Sequence, residues 1–431
     1  MEQKIAQLEE NIRQLSSNPT SQTAVETSLV QSKQIADNSG SSAQVIGSIF
    51  PPGDLTQITS GHNIFGPTGK TFVPSFDSGF GKIPIEDRSQ TAISAFLSGT
   101  ACLFHTLPPE ECRNLTSRVY HRDSNIGSSD ICELCAIAAV GCRYDGASED
   151  NACMIAYFQK ALLLLCDAIE KANMQTIRIL TCLSMYLILD RSIAARLLIS
   201  SALHLTRWYR LVAKYGQDAQ TEWSRVFRTL TSLETWLSFA LGCRHGLRDD
   251  EIHAVKNLSN MELSSVASEH PPPTTISIIQ SQLSKVTLLA AEVFSRARFG
   301  DGSWWPWERL EELSSHLDVW RQELPASLEL QRLASNNNSL PEDSRRALFL
   351  VHMVYLEDRV ILYQHFMQQA SDACIMNMPS SFHQIYATFA HQLAWIIGII
   401  FQDRSPFLRN WLAMSVDLEA WSYHANIGFV L

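Results

Sequence analysis

Charged side chains are scarce in this 431-residue sequence, and lysine and arginine never form a run. Only 18% of the residues are Asp, Glu, Lys or Arg, and the formal net charge at pH 7 is -10. A protein that holds DNA by itself usually presents a basic patch, because neutralising the phosphate backbone supplies much of the affinity. We therefore expect no direct contact between this chain and DNA.

A secretory leader and long apolar runs are also missing. The N-terminus lacks the basic, apolar and small-residue parts of a signal peptide. The longest strongly apolar runs, 161–166 and 393–401, are too short to span a bilayer. Ten cysteines nevertheless occur, mostly within apolar segments. This combination indicates reduced, buried thiols in a cytosolic or nuclear protein that has no membrane partner.

The motifs of common catalytic sites are absent as well. The sequence contains no Gly-x-x-x-x-Gly-Lys, Gly-x-Gly-x-x-Gly, His-Glu-x-x-His or Gly-x-Ser-x-Gly. Its histidines are scattered, and it lacks aspartate-rich motifs with the spacing of helical terpene-type enzymes. We therefore expect no catalytic residue, no metal ligand and no enzyme activity.

What the sequence does contain is helical periodicity, most clearly between Asp130 and Tyr209. Apolar residues recur there every three or four positions, and Asp130 is predicted to be an N-cap. The stretch Ile177 to Leu189 is apolar almost all round, which indicates a central buried helix. Four helices joined by short turns would form two stacked antiparallel hairpins. Ser192 is predicted to cap the last of them, whose apolar positions are Ile193, Leu197, Leu205 and Trp208.

The rest of the chain after residue 89 follows the same pattern, and no segment shows the period-two alternation of a strand. The predicted fold class is therefore all-α, a multi-helical array of stacked antiparallel helical hairpins over residues 89–431. Gly242 should end one of the long helices, and 246–276, with Asp249, Asp250 and Glu251, should be a surface loop. Further helices are predicted at 220–242, 276–299, 306–324, 343–371, 380–401 and 405–430.

The residues before this array fall into two parts. Residues 16–88 are rich in Ser, Thr, Asn, Gln, Gly and Pro and are predicted to be a flexible linker. Residues 1–15 show the heptad spacing of a coiled coil at Ile5, Leu8, Ile12 and Leu15. Two heptads are too few for an independently stable coiled coil. They are either a dimerisation seam or an amphipathic helix that packs on its own domain.

Three tryptophans surround Pro306, at Trp304, Trp305 and Trp307. Aromatic side chains contribute much of the energy at many binding sites, so this cluster could line a ligand pocket or dock a partner. The tryptophans could equally anchor the loop before the helix 306–324 onto the core. We favour the anchoring role and keep the binding role as the alternative.

Several stretches resemble, in the right order along residues 90–431, the fungal-specific transcription factor family. The first two are Cys132 to Asp145 and Tyr157 to Ala161, and the third is the helix from Trp223 with Ser238 near its end. The residues that match the family element Leu-x-x-Trp-x-x-x-Leu-Pro-x-x-Leu are Leu317, Trp320, Leu324, Pro325 and Leu328. Those that resemble its next helix are His352, Tyr355, Leu362 and Tyr363.

The resemblance implies the middle homology region of binuclear zinc-cluster regulators, an all-helical region that regulates activity. It implies a nuclear transcription regulator of a metabolic or secondary-metabolite gene cluster. Its partners would be a second regulator chain, as a homo- or heterodimer, and the transcription machinery, with a small molecule as effector. The family's six-cysteine DNA-binding module would precede residue 1, so zinc is expected only if such an upstream module exists.

The spacing of Cys132, Cys135 and Cys142 repeats half of the pattern of that six-cysteine module. A second Cys-x-x-Cys is missing, since Ala156 stands where Cys153 would need its partner. A structural zinc site needs four ligands, and the intervening residues are apolar rather than basic. We therefore predict that these cysteines are core residues. A redox pair of Cys132 and Cys135 is the alternative, although no thioredoxin-like context supports it.

A second function class stays open beside the transcription regulator. A helical ligand-binding or scaffold protein without a direct transcriptional role would show the same stacked hairpins. The sequence has no regular repeat period that would mark a tetratricopeptide-type array. Nuclear import and an effect on transcription would separate the two functions.

Overall fold

A computed structural model describes residues 84–412, except for 122–124, 146–150, 191, 213–216, 242, 265–273, 300–306, 335–339, 370–378, 380 and 404. All of these residues lie in the structural unit Ile64–Leu431. The described part consists of helices and their connections, without a β-strand, so the predicted all-α class is confirmed. The predictions for residues 1–83 and for Gly242 lie outside the described residues. They include the seam of Ile5, Leu8, Ile12 and Leu15.

Six helices make up the first half of this array. They are α1 (Glu86–Leu103), α2 (Pro109–Tyr120), α3 (Ser128–Tyr144), α4 (Asn151–Lys171), α5 (Met174–Leu189) and α6 (Ala194–Val212). Helix α1 begins inside the predicted linker 16–88. Its first turn carries Glu86 and Asp87, where the helix dipole favours acidic side chains.

Helix α3 lies at the centre of the first half, in contact with α1, α2, α4 and α5. Most of its residues are buried, including Cys132, Leu134 and Cys135. Gly141 permits a very close approach of α1, because a Cβ atom there would lie 1.8 Å from the Ala92 carbonyl oxygen. The central buried helix that the sequence predicts at Ile177 to Leu189 is α5, and every residue of that stretch except Arg178 is buried.

The N-terminus of α3 differs from its prediction. Its N-cap residue is Gly127 rather than Asp130, and Asp130 occupies the third helical position. From there Asp130 Oδ2 accepts a hydrogen bond of 3.1 Å from the Gly127 backbone N–H. A carboxylate at the third position can satisfy a free backbone donor as an N-cap side chain does, so the helix begins earlier.

The two predicted hairpins are present. Helix α3 packs along α4, and α5 packs along α6, while α3 and α5 join the pairs. Between the hairpins the chain turns at Ala172, whose φ is +42°. Asn173 then caps α5, since its Oδ1 accepts a hydrogen bond of 3.0 Å from the Thr176 backbone N–H.

The prediction of which face of α6 is buried is wrong. Ile193, before its first turn, is 69% exposed, and Leu197 and Trp208 are each 54% exposed. The buried face instead consists of three alanines and two larger apolar residues, namely Ala194, Ala195, Ile199, Ala202 and Leu203. Alanines let two helices approach closely, so this face buries well although its side chains are short.

Seven further helices and a short helical segment, 406–412, make up the second half. They are α7 (Gln217–Ala240), α8 (Asp249–Ser264), α9 (Thr275–Phe299), α10 (Trp307–Gln322), α11 (Leu330–Ala334), α12 (Glu342–Gln369) and α13 (Ser381–Asp403). Helix α9 packs against α7, α8 and α12, and α12 also packs against α10 and α13. Helix α1 contacts both α9 and α12 and so joins the two halves.

Helix α8 occupies much of the stretch predicted to be a surface loop, 246–276. Its first turn consists of Asp249, Asp250 and Glu251. Glu251 is buried and accepts hydrogen bonds from Arg207 Nε (2.6 Å) and from the Arg248 backbone N–H (2.9 Å). The surface-loop prediction is therefore wrong here, because Asp249, Asp250 and Glu251 begin a helix at the end where its dipole stabilises negative charge.

The last described segment, 406–412, returns to the first half. Trp411 Nε1 donates a hydrogen bond of 3.0 Å to the Tyr144 hydroxyl at the end of α3. The Asn410 side-chain amide donates to the Arg143 carbonyl oxygen at 2.6 Å. The Trp411 ring also stacks on Trp236 of α7, with 5.1 Å between ring centroids. Residues 413–430 of the predicted helix 405–430 lie outside the described part.

Two helices, Ala152–Lys171 and Ser381–Asp403, have the length and composition that a membrane span needs. The count of consecutive apolar residues missed them, because Lys160 and the histidines of α13 interrupt the runs. Core helices of soluble proteins pass the same test.

Candidate ligand-binding pocket

The Leu-x-x-Trp-x-x-x-Leu-Pro-x-x-Leu element forms one wall of a pocket in the second half. Leu317 and Trp320 are buried on α10, and Leu324 and Leu328 are buried just after it. Pro325 stops the helix and starts a short 3-10 turn, Ala326–Leu328. The turn brings the Leu328 carbonyl oxygen against α12.

His352 of α12 donates a hydrogen bond to that carbonyl oxygen. Its Nε2 lies 2.8 Å from the Leu328 carbonyl oxygen. Because a carbonyl oxygen can only accept, Nε2 carries the proton and Nδ1 is left as an acceptor. Burial lowers the pKa of His352 to about 4, against a weaker opposing effect of the hydrogen bond to Leu328. The imidazole is therefore neutral at physiological pH.

Trp320 and Tyr355 provide an aromatic floor beside His352. The Trp320 and Tyr355 rings stack with 5.1 Å between centroids, and Trp320 meets the His352 ring edge-on at 6.1 Å. The Trp320 indole N–H is buried and has no hydrogen-bond partner among the described residues. A buried indole N–H normally finds an acceptor, so this donor is a notable unsatisfied group next to the pocket.

The cavity above this floor has a volume of about 450 Å³, within the range of sites for small ligands. Helix α10 and its following turn supply one side, α12 the floor and α13 the single residue Gln392. The lining combines leucines with amides and charged groups: Asp318, Arg321, Gln322, Leu324, Glu329, Leu330, Gln331, His352, Tyr355, Leu356 and Gln392. Such a surface suits a small organic molecule that has an apolar part and several polar groups.

Arg359 lies beneath the pocket and fixes two of its lining residues. It is fully buried, forms an ion pair with Asp318 and donates to the Ser314 hydroxyl. Its Nε also donates to the Tyr355 hydroxyl at 3.2 Å. Burial lowers the pKa of Arg359 to about 10, so the guanidinium stays cationic at neutral pH. The charge thereby orients both Asp318 and Tyr355.

Two opposing influences act on the Tyr355 hydroxyl. Burial raises its pKa, whereas the neighbouring Arg321 guanidinium acts to lower it. Arg321 lines the pocket, is partly exposed and has no carboxylate within ion-pair distance among the described residues. An acceptor group on a ligand could therefore bind Arg321 without displacing an existing salt bridge.

The predicted tryptophan cluster is only partly described. Trp304 and Trp305 lie outside the described residues. Trp307 is half-buried and meets Phe366 and Phe382 edge-on, with centroid distances of 5.8 and 5.9 Å. This contact is the anchoring arrangement. Rings in mutual contact continue from there to the pocket floor, through Phe382, Tyr363, Phe389 and Tyr355.

The cysteines singled out in the sequence lie in the core. Cys132 and Cys135 are fully buried on α3, and Cys142 is half-buried. Burial raises the pKa of Cys135 and of Cys142 to about 12, so both thiols are protonated at neutral pH. The prediction that Cys132 and Cys135 are core residues is confirmed. Among the described residues, no three His, Cys, Asp or Glu side chains are grouped so as to hold a metal ion.

The sequence reasoning missed the charged groups around the pocket. Asp318 and Arg321 are polar positions of an amphipathic helix, and nothing in their spacing marks them. Arg359 did leave a signal, because Glu357, Asp358 and Arg359 interrupt an otherwise apolar stretch of α12. Consecutive charged residues inside a buried helix are rare and indicate paired or functional groups.

No model of a known protein family matches this chain. No curated protein sequence matches it either. The resemblance to the fungal-specific transcription factors therefore rests on its ordered motifs alone.

Proposed function

We propose that this chain is the regulatory region of a nuclear transcription regulator similar to fungal zinc-cluster factors. Its cavity between α10, α12 and α13 would receive a small-molecule effector. One observation carries the proposal: the Leu-x-x-Trp-x-x-x-Leu-Pro-x-x-Leu element and the helix that resembles the family's next one meet at this cavity, where Leu324, His352 and Tyr355 line it. Trp320 and Leu324 come from one motif, and His352 and Tyr355 from the next.

The lining supports a ligand of mixed polarity. Leu324, Leu330 and Leu356 offer apolar surface, whereas Arg321 offers guanidinium donors without a carboxylate partner among the described residues. An effector that binds there would touch α10, α12 and α13 at once. Regulation would follow if the effector favours one arrangement of these helices over another.

The acidic chain supports an indirect action on DNA. With a net charge of -10, contact with the phosphate backbone would come from another module or from a partner chain. The genes controlled would be those of a metabolic or secondary-metabolite cluster, as the resemblance implies. The transcription machinery would be the final partner.

A reporter assay tests the proposal. The full chain is fused to a heterologous DNA-binding domain and to a fluorescent protein, then expressed in a fungal reporter strain. We expect nuclear accumulation and a several-fold change in reporter output relative to the DNA-binding domain alone. Arg321→Gln should alter that output, while Lys256→Gln on α8 should not.

The alternative is a helical ligand-binding or scaffold protein without a transcriptional role. The cavity supports this function too, because this chain alone supplies its lining and a small molecule could bind there without a partner protein. A fusion that stays cytoplasmic and leaves the reporter unchanged would reject the transcription regulator. Ligand-dependent stabilisation that is lost in Arg321→Gln would then support the alternative.

A further inference from the structure

A second cavity lies between α2, α3 and α5, in the first half of the array. Its volume is about 470 Å³, which is the size of a site for a small molecule. Leu107 and Leu115 are the apolar part of its lining, and the other seven lining residues are polar or charged. None of them belongs to the pocket around His352. A lining of this kind suits a polar ligand.

One wall of this cavity is a buried ion-pair network. Glu133 of α3 is 3% exposed, and its two carboxylate oxygens accept hydrogen bonds from Arg178 Nε (2.7 Å) and Gln175 Nε2 (2.9 Å). Arg178 Nη1 also donates to Glu222 of α7 at 2.5 Å. Because replacing a buried ion pair by apolar residues often costs no stability, such a network is weak evidence for a purely structural role. Charged groups buried at a cavity wall are more typical of a binding site.

The wall that α2 supplies is not committed to other contacts. Glu111, Asn114 and Ser117 follow one another on α2 at spacings of three residues, so they share one face of the helix. Among the described residues, none of these three side chains has a hydrogen-bond or ion-pair partner. The adjacent Glu110 differs, since it forms an ion pair with Arg113 at 2.8 Å. The α2 wall is therefore available to a ligand.

The balance of charge around the cavity favours a cationic ligand. Four carboxylates and two guanidiniums line it or are ion-paired with its lining, namely Glu111, Asp130, Glu133, Glu222, Arg118 and Arg178. Each guanidinium already has a carboxylate partner, at 3.4 Å for Arg118 and Asp130. Glu111 is the one lining charge without a partner among the described residues. A positive group on a ligand would pair with Glu111 without breaking an existing ion pair.

The residues around the cavity favour an organic cation over a metal ion. Divalent cations take about six oxygen ligands, which in proteins come largely from carboxylates and carbonyls. In the described part of the chain, no three His, Cys, Asp or Glu side chains are grouped so as to hold a metal ion. The side chains of Asn114 and Ser117 instead offer donors and acceptors to hydroxyl or amide groups.

We propose that the cavity between α2, α3 and α5 binds a small organic amine whose other groups are polar. The ammonium group of the ligand pairs with the Glu111 carboxylate. Its hydroxyl or amide groups bond to Asn114 and Ser117. The network of Glu133 and Arg178 forms the fixed wall of the site. This site is separate from the pocket around α12, and its occupancy does not depend on a transcriptional role of the chain.

Ligand-observed NMR on the full chain tests the proposal, with 6-aminohexan-1-ol as the probe. A primary alkylamine of this kind is cationic at pH 7, as the lysine side chain is. The wild-type chain should bind it with a dissociation constant below about 10 mM. The diol 1,6-hexanediol has the same length but no charge. It should bind at least about tenfold more weakly, because hydrogen bonds between charged groups are the stronger ones.

Two variants with the same change of charge separate this site from a general attraction of cations to an acidic chain. Glu111→Gln should raise the dissociation constant of the amine at least about tenfold. Glu110→Gln, one residue away and outside the lining, should change it by less than about twofold. Asn114→Leu keeps the charge and removes the amide, and it should also weaken binding. All three positions are exposed, so each variant should fold, which circular dichroism checks.

Four results would overturn the proposal. One is a wild-type chain that does not bind the amine up to about 10 mM. Another is an equal affinity for the amine and the diol, since the charge would then contribute nothing. Equal weakening by Glu111→Gln and Glu110→Gln would reduce the binding to a general attraction. Displacement of the amine by millimolar Mg²⁺ would assign the cavity to a metal ion instead.

Discussion

The Arg359 guanidinium lies 4.7 Å from the centre of the Phe389 ring, so a buried cation rests on an aromatic face of the neighbouring helix. The same guanidinium forms an ion pair with Asp318, which is 47% exposed on its side chain, and donates to Tyr355. One arginine therefore links α10, α12 and α13 around the pocket. Removing the charge of Asp318 and removing the charge of Arg359 should therefore lower the stability of the fold by different amounts.

Asp318→Asn should lower the free energy of unfolding by about 2 kcal/mol. Removing one partner of a buried ion pair costs roughly 3 to 5 kcal/mol, and the partial exposure of Asp318 reduces that figure. Arg359→Met should cost less, because it removes the buried charge and leaves a carboxylate that water can reach. Urea unfolding measures both. Glu329→Gln, an exposed residue of the same pocket, is the control and should change the value by less than about 0.5 kcal/mol.

His352 should make stability depend on pH. Burial lowers its folded-state pKa from 6.5 to about 4. A base with a lowered folded pKa binds its proton more readily in the unfolded state. Its contribution is therefore complete above about pH 6.5 and is lost as the pH falls from 6.5 towards 4. The loss amounts to about 3 kcal/mol at 1.36 kcal/mol per pKa unit.

His352→Gln tests this dependence, since a glutamine amide can still donate to the Leu328 carbonyl. The difference between the unfolding free energies at pH 7 and pH 5 should be smaller in the variant than in the wild type. His383→Gln, on the exposed face of α13, should leave that difference unchanged. Equal pH profiles for wild type and His352→Gln would contradict the prediction.

Asp358 should act in the opposite direction. It is buried, its Oδ2 has no partner among the described residues, and burial raises its pKa from 3.8 to about 8. A carboxyl with a raised folded pKa binds its proton more tightly in the folded state. Stability from this group is complete below about pH 4 and is lost as the pH rises towards 8.

Asp358→Asn should therefore raise the thermal midpoint at pH 8, where the wild-type carboxyl must stay protonated or bury a charge. At pH 4 the two proteins should differ much less. Thermal unfolding monitored by circular dichroism at both pH values measures the effect. Asp250→Asn, at an exposed position of α8, should show no such pH-dependent gain.

Replacing glycine by alanine should lower the free energy of unfolding at Gly141 and raise it at Gly398. Gly141→Ala places a Cβ atom 1.8 Å from the Ala92 carbonyl oxygen, so α1 and α3 must separate. We expect a loss of about 3 kcal/mol, at the upper end for overpacked cores. Gly398→Ala meets open space in a helix and should gain up to about 1 kcal/mol. Denaturant unfolding measures both.

The sequence was sufficient for the strongly periodic helices. The almost uniformly apolar stretch of α5 and the cysteines of α3 could only be buried, and both are. The prediction for α6 failed because large apolar side chains were taken to mark the inner face. Packing selected the alanine-rich face instead, since the distance between α5 and α6 decides how large a side chain can fit.

The pocket could not be predicted from the sequence, for a related reason. Leu317, Trp320 and Leu324 could be recognised, because their spacing is regular. Asp318 and Arg321 lie between them and look like ordinary surface positions. Their role depends on Arg359, which is 41 residues from Asp318 along the chain. Charges that meet only after folding leave no local pattern to be read.

The contact between Trp411 and Tyr144 spans 267 residues of sequence. A ribosome adds roughly 5 to 20 residues per second, so α3 is complete many seconds before its partner emerges. During synthesis the C-terminal end of α3 is therefore exposed until Trp411 has been made. A chaperone could bind this end of α3 during that interval. Slow steps in refolding should report the arrival of the 406–412 segment, since long-range contacts of this kind form late.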